Sequence, residues 1–542
     1  MSSPNLGRAS VWLASGTMVS RVLGFVKAIM LVQVIGVIGL ATDAFSVANQ
    51  LPNTVYAVIA GGVLNAVFVP QIVRAARHSD GGTGYINKLV TLALSLLGIT
   101  TLLATLAAGA LVTLVAGTAP AEQISLATAM AFWCLPQIFF YGLYSVLGEV
   151  LNARNSFGPF TWAPVLNNVI AIGGLIAFVL LFEPTGADRL DVAFWTPEKI
   201  AVLAGSATLG VAAQALVLFL FWKRIGLRYR PDFQFRGAGL STAGRLAGWT
   251  FGMLILTTMA GIVETNVVIS ASGDNASATV VTSAWLIFML PHSIVAVSIA
   301  TAYFTRMSEH AATNSLPAVR ADLSTSLRII TVLMVLAAAM LAVFAYPFSG
   351  IFTGFDFSSS VAMGNVVIAF LVGLPAFSVL FVLQRAFYAL GDTRTPFFIT
   401  LFQVIIFTAG ALLMLALVPK ESLAVGVALT LSGSTILQAL LAAILIRRRL
   451  GAVGGRTIVA SLGKDAVAVA PALAIGLGTA FYLGFFGASG FANSGYVQAI
   501  LGMLTVAVVM GSVYLGALRL VRSREVDTAV ATVSARFGRR RS

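Results

Sequence analysis

The sequence predicts an all-α polytopic membrane protein of about fourteen transmembrane helices, built as two parallel six-helix repeats with two further C-terminal helices. Three observations lead there. The 542-residue chain is 58% hydrophobic and only 10% charged, against roughly 25% charged in a soluble domain. Its apolar residues come in runs of about 20, the length needed to cross a bilayer. Finally, short sequence blocks recur at nearly equal offsets, 239 residues for one and 236 to 237 for another.

Read in order, the apolar runs cover residues 10–35, 42–73, 87–117, 122–152, 160–183, 199–223, 243–271, 277–305, 327–348, 361–390, 396–418, 423–447, 464–486 and 496–519. The first resembles a signal peptide only in having Arg8 before it. It is too long, carries internal charge and lacks a small-residue cleavage site, so it is expected to stay attached.

That first helix holds Arg21 and Lys27 in its interior. A lipid-facing Arg or Lys at a helix centre costs roughly 2.5 to 3.5 kcal/mol, so two would nearly cancel the gain from their apolar neighbours. The helix is therefore expected to line a hydrated, positively charged cavity suited to an anion. Six residues apart, the two cations lie about 120° apart around the axis and can border one cavity. The alternative is snorkelling, or a structural ion pair with Asp43 or Glu264.

The net charge of +14 sits mainly in alternate connections. One set holds Arg8, Arg74, Arg77, Lys88, Arg154, the cluster from Lys223 to Arg245, Arg306, Arg320, Arg328, Arg394, Arg447 to Lys464 and the tail after Arg519; the other holds only Arg189, Lys199 and Lys420. Because Lys and Arg accumulate on the cytoplasmic side, both termini are expected there, which an even helix count allows. The bases then set topology and meet anionic phospholipids, and no nucleic-acid partner is implied.

The repeat relates Leu51, Pro52, Thr54, Val55, Ala57 and Val58 to Leu290, Pro291, Ser293, Ile294, Ala296 and Val297. It relates Val146, Leu147, Leu151 and Ala153 to Val382, Leu383, Phe387 and Ala389. A period of six helices preserves orientation, so the copies should be parallel, with the substrate path between them. This divides the chain into lobes at 1–236 and 237–450, two added helices at 451–522 and a basic cytoplasmic tail at 523–542.

In helix 2, Pro52, Gly61, Gly62 and Pro70, with Pro291 in its repeat partner, mark either moving joints or close packing. Asn49, Asn53, Asn65, Glu149, Glu264, Asn266, Gln384 and Arg385 are the remaining intramembrane polar positions of interest. Glu264 is mid-helix and reads as a counter-ion to Arg21, a coupling-ion ligand, or a structural partner of another helix. Glu149 and Arg385 lie near helix ends, where snorkelling or pairing serves as well as function. Asp43 suits either gating or helix capping. Cys134, the single cysteine, reads as packing, and His78, His292 and His310 are scattered. No metalloprotease His-Glu-x-x-His, nucleophile elbow or P-loop is present, so no catalysis, metal or cofactor is expected.

Several blocks resemble one family. Ser20-Arg21-Val22-Leu23-Gly24-Phe25, Ala41-Thr42-Asp43-Ala44-Phe45, Leu51-Pro52-Asn53 with Phe68-Val69-Pro70, and Phe387-Tyr388-Ala389 through Asp392-Thr393-Arg394-Thr395-Pro396 look like the MurJ (MviN) lipid II flippases. That family belongs to the superfamily of multidrug and oligosaccharidyl-lipid exporters. The resemblance implies transport of lipid II, an undecaprenyl-pyrophosphate glycopeptide, from the cytoplasmic to the outer leaflet of the bacterial plasma membrane by alternating access. Cell-wall synthesis proteins would be its neighbours, and the two extra helices would cradle the lipid tail.

By resemblance, Arg21 is the essential cavity arginine, Lys27 stands where arginine is usual, and Asp43 is the motif aspartate. Asn53, Glu264 and Arg385 complete the expected substrate-binding set. The chain departs from the family where Tyr56 or Ala57, Gly61 and Leu286 replace charged residues. A flippase for another undecaprenyl-pyrophosphate oligosaccharide is the near alternative, and a non-transporting scaffold of cell-wall assembly is the distant one. Tolerance of Arg21→Ala would favour the scaffold.

Overall fold

The computed structural model describes residues 4–60, 83–154, 156–184, 188–222, 229–233, 244–451 and 455–522. Among the described residues there is no β-strand, and each of the fourteen expected runs contains a helix or a jointed helix. These are α1 Pro4–Ile35, α2 Leu40–Ile59, α3 Thr83–Leu106 with Ala108–Ala116, α4 Ala121–Cys134 with Gln137–Ala153, α5 Phe157–Phe182, α6 Pro197–Leu216 with Phe219–Trp222, and α7 Gly244–Ile269. There follow α8 Ala278–Pro291 with Val297–Ala312, α9 Leu316–Thr353, α10 Phe357–Leu371 with Leu374–Ala389, α11 Arg394–Leu417, α12 Lys420–Leu450, α13 Gly455–Tyr482 and α14 Tyr496–Leu520. Among the described residues twelve helices are long and apolar enough to span a membrane, and α10, bent by 42°, adds a thirteenth when its two halves are taken as one span. The protein is thus multi-pass. The polar helix α2 is the remaining one, and Gly61, Gly62, Asn65 and Pro70 of its expected run lie outside the described residues.

The chain forms two compact units, Met1–Thr279 and Val280–Ser542. In the first, small residues let helices approach, as is usual where lipid gives no hydrophobic drive between helices. α1 lies on α5: a Cβ at Gly16 would come within 2.7 Å of Trp162, and Asn168 Nδ2 donates to the Ser20 carbonyl at 2.9 Å. α3, α4 and α5 share a core that includes Leu89, Leu97, Leu147 and Leu151, and Tyr144 stacks on Phe160 with centroids 4.7 Å apart. The corner between α1 and α2 turns through Gly36, whose φ of +93° a side chain rarely adopts. Leu190 presses against that corner from the α5–α6 connection, while Arg189 donates to the Gln33 carbonyl at 2.9 Å.

In the second unit the helices are jointed where their sequence removes a donor. Pro291 has no N–H, and the next turn of α8, His292–Ala296, opens into a π-turn. α10 breaks at Val372–Gly373, before Leu374-Pro375. Ser432 Oγ of α12 donates to the carbonyls of Ala369 and Phe370 at 2.7 and 3.1 Å, satisfying backbone that the break exposes. The approach is close enough that a Cβ on Gly373 would meet Ser432 at 2.9 Å. α4 has its own joint at Leu135-Pro136, which matches Leu374-Pro375 at an offset of 239, the offset of the first sequence block.

α9 starts eleven residues before its apolar run, because the charged positions that ended the run are accommodated in helix. Asp322 is buried and accepts from Arg306 of α8 at 2.7 Å. α13 and α14 pack on α9, where the Tyr514 hydroxyl donates to the Val332 carbonyl at 3.0 Å.

Candidate functional site

Arg21 lies within the apolar span Ser15–Ile35. The adjacent Ser20 faces α5 through Asn168, which leaves Arg21 on the exposed side of α1 with Val22. Lys27, half-buried, lines a cavity of about 70 Å³ inside the first unit, with Asn49 of α2, Gln137 and Tyr141 of α4, Asn167 of α5 and Ser206 of α6. Those polar groups are mutually ordered. Gln137 Nε2 donates to Asn49 Oδ1 at 3.4 Å and to Thr208 Oγ1 at 3.0 Å, and the Tyr141 hydroxyl donates to Gln137 Oε1 at 3.2 Å. Among the described residues no carboxylate lines this cavity, and Lys27 has no hydrogen-bond or ion-pair partner. It therefore presents an uncompensated ammonium among neutral dipoles, a setting that attracts an anion.

Asp43 is buried and fully engaged. Its Oδ2 accepts from Ser272 Oγ at 2.6 Å and its Oδ1 from the Thr279 amide at 2.8 Å. It caps the first turn of α8 rather than its own helix, and it forms no ion pair with Arg21. Glu264 on α7 also makes none: among the described residues it has no hydrogen-bond or ion-pair partner. It stands two helical turns after Thr257, which shares a second cavity of about 220 Å³ with Asn53. Asn266 is structural. Its side chain accepts from the Gly117 amide at 2.9 Å and donates to the Leu114 carbonyl at 2.8 Å, closing the end of α3.

Arg385 belongs to the second unit. Its guanidinium stacks between Phe304 of α8 and Phe381 of α10, 5.2 and 5.0 Å from the ring centroids. Beside it lies a residue that the sequence reading passed over as scattered. His292, buried in the π-turn, shares a hydrogen bond with Ser378 of α10 at 3.0 Å and packs on Phe377 and Phe381. Its position directly after Pro291 was the available signal. Cys134 is fully buried in the α4 joint.

Comparison with solved structures places this fold in a class. An inward-facing multidrug resistance MATE family transporter of the MOP superfamily superposes with a TM-score of 0.63 at 18% identity, covering 82% of this chain and 99% of the other. A lipid II flippase MurJ in an inward closed conformation superposes with a TM-score of 0.71, also at 18% identity, covering 94% of this chain and 99% of that one. The chain thus shares the fold of these two transporters.

Within that class the chain belongs to the lipid II flippase MurJ family, whose family model matches residues 31–496. Among curated relatives, a probable lipid II flippase MurJ from Rickettsia prowazekii is 25% identical over 435 residues, 78% of this chain and 80% of the relative. Its counterpart from Rhizobium meliloti is 26% identical over 404 residues, 71% and 70% of the two chains.

Proposed function

We propose that this protein carries lipid II from the cytoplasmic to the outer leaflet of a bacterial plasma membrane by alternating access, making and breaking no covalent bond. The observation that carries the reading is an exposed arginine inside an apolar span. In hydrocarbon Arg21 would cost several kcal/mol, whereas in a hydrated cavity its planar fork can grip pyrophosphate oxygens in pairs. Lys27 adds charge from the amide-lined cavity beside it. Family membership supplies the substrate class, since the relatives are described as lipid II flippases.

The repeats at 1–236 and 237–450 are the bodies that exchange access. Residues 451–522 offer a groove for the lipid tail, and the basic tail at 523–542 meets anionic phospholipids. Asp43 holds the outer end of the first unit, Asn53 contacts the head group, Glu264 balances the cavity cations when substrate is absent, and Arg385 braces α8 against α10.

Depletion tests the function. Loss of the protein should leave lipid II intact but inaccessible from outside the cell, and a depleted cell that still exposes lipid II at the normal rate would overturn it. The orientation, with both termini cytoplasmic, is checked by impermeant thiol labelling in a Cys134→Ser background. Asp188→Cys should label from outside and Thr313→Cys should not, and the reverse pattern would invert the topology.

A further inference from the structure

We infer that the uncharged cavity between α2, the end of α3 and α7 is a subsite for the glycan of the substrate, taking one N-acetylated sugar. Six polar residues line it: Gln50, Asn53 and Thr54 of α2, and Thr257, Thr258 and Thr265 of α7. All of them belong to the first unit.

The donor and acceptor inventory decides the ligand class. Thr54 donates to the Gln50 carbonyl at 3.2 Å, Thr257 to the Leu254 carbonyl at 3.0 Å and Thr265 to the Gly261 carbonyl at 2.9 Å. With their protons committed to their own helices, these hydroxyl oxygens are left as acceptors. The carboxamides of Gln50 and Asn53 are exposed, and among the described residues they make no hydrogen bond, so they offer donors and acceptors together. Among the described residues, no Asp, Glu, Lys, Arg or His lines the cavity.

A phosphate here would find no cation, and three of the four hydroxyls it faced, those of Thr54, Thr257 and Thr265, have oxygens left only to accept. The carboxylates of a peptide meet the same objection. A lipid tail would strand two carboxamides without water. A sugar presents hydroxyls that donate to the threonine oxygens and an acetamido group that matches a carboxamide. The volume of about 220 Å³ falls below the roughly 300 to 1,000 Å³ of pockets for drug-sized ligands and suits a single ring.

The inference rests on the flippase reading, and the experiment separates the two. Binding of lipid II and of undecaprenyl pyrophosphate, which shares the anion and tail but lacks the sugar, is measured on the purified full chain in lipid nanodiscs. Asn53→Leu removes a carboxamide. Gly261→Ala leaves every polar group in place and adds a methyl to the cavity wall, where a Cβ meets nothing within 4 Å, so the helix tolerates it.

Asn53→Leu should weaken lipid II binding about tenfold, the worth of one or two hydrogen bonds, and Gly261→Ala should weaken it by taking up space the ring needs, while undecaprenyl pyrophosphate binds to each as it does to the unaltered protein. Arg21→Ala should weaken both ligands. If Asn53→Leu and Gly261→Ala weaken both ligands equally, or weaken neither, the glycan subsite is refuted while the flippase reading stands. If Arg21→Ala changes neither affinity, the anion-grip reading fails on its own, and an unaltered protein that binds neither ligand sinks both.

Discussion

The carboxylate of Asp43 on α2 accepts a 2.8 Å hydrogen bond from the backbone amide of Thr279, in the first turn of α8 and 236 residues further along the chain. An α-helix leaves its first N–H groups without internal partners, and α8 has one of its own satisfied by a side chain of another helix. Ser272, from the α7–α8 connection, donates to the same carboxylate and accepts from Gln123 of α4, which also donates to the Leu40 carbonyl. The starts of α2, α4 and α8 are therefore held by one carboxylate-centred network, all within the first unit.

Removing that carboxylate leaves buried donors unsatisfied, at about 1.5 to 3 kcal/mol for each hydrogen bond to a charged group. Asp43→Ala should release the α7–α8 connection, with Asp43→Asn intermediate because its carbonyl oxygen still accepts. Ser277 is buried at 1% exposure, so Ser277→Cys reports the release by its rate of impermeant thiol labelling in a Cys134→Ser background. Labelling at least about tenfold faster with Asp43→Ala is expected, in line with the loss of one such bond. Equal rates in the three backgrounds would show that Asp43 does not hold the connection.

A second carboxylate, outside the membrane spans, makes stability depend on pH. Asp392 in the α10–α11 connection is pushed upward by burial, but hydrogen bonds from Thr395 and the charge of Arg449 outweigh this and hold its carboxyl below the usual range. Thr395 contributes its amide at 2.9 Å and its hydroxyl at 2.7 Å, and Arg449 at the end of α12 forms an ion pair with the same group. A carboxyl depressed in the folded state contributes stability above its unfolded pKa and loses it as pH falls through the folded value. Asp392→Asn should therefore lower thermal stability at neutral pH by about 1 to 2 kcal/mol. The gap from the unaltered protein should close as pH drops below the ordinary aspartate range, and a gap that is constant with pH would contradict the linkage.

The membrane class, the fourteen runs and the joint at Pro291 were legible because each follows from local chemistry, apolar length and a missing donor, whereas α2 runs unbroken through Pro52 and the joints at Pro136 and Pro375 were not singled out. Helix α9 was misjudged by three turns because a window of apolar residues cannot see that Asp322 finds Arg306 on α8. Asp43 was legible as a residue of consequence but not in its role, since its partners lie some 230 residues away and one of them is a backbone amide. Lys27 was legible as a costly intramembrane charge, yet its amide-lined cavity is assembled from five helices that no spacing rule relates. His292 was overlooked because a lone histidine in an apolar run resembles core packing. Its hydrogen-bond partner Ser378 lies 86 residues further along the chain, where no local pattern reveals it.

The division of labour between the two cations of α1 gives the sharpest test of the proposed site. A guanidinium engages pyrophosphate oxygens in pairs, while an ammonium supplies mainly a point charge. Arg21 stands on the exposed side of α1, where the shape of the contact matters, and Lys27 sits among neutral amides that accept equally well from either head group. Arg21→Lys should therefore lower lipid II export by about tenfold, as loss of one member of a two-point contact implies, whereas Lys27→Arg should stay within about twofold. Arg21→Ala should abolish rescue of a flippase-depleted cell at matched expression. If the Arg21→Ala protein inserts normally and still supports growth and display of lipid II at the outer leaflet, Arg21 does not grip the pyrophosphate.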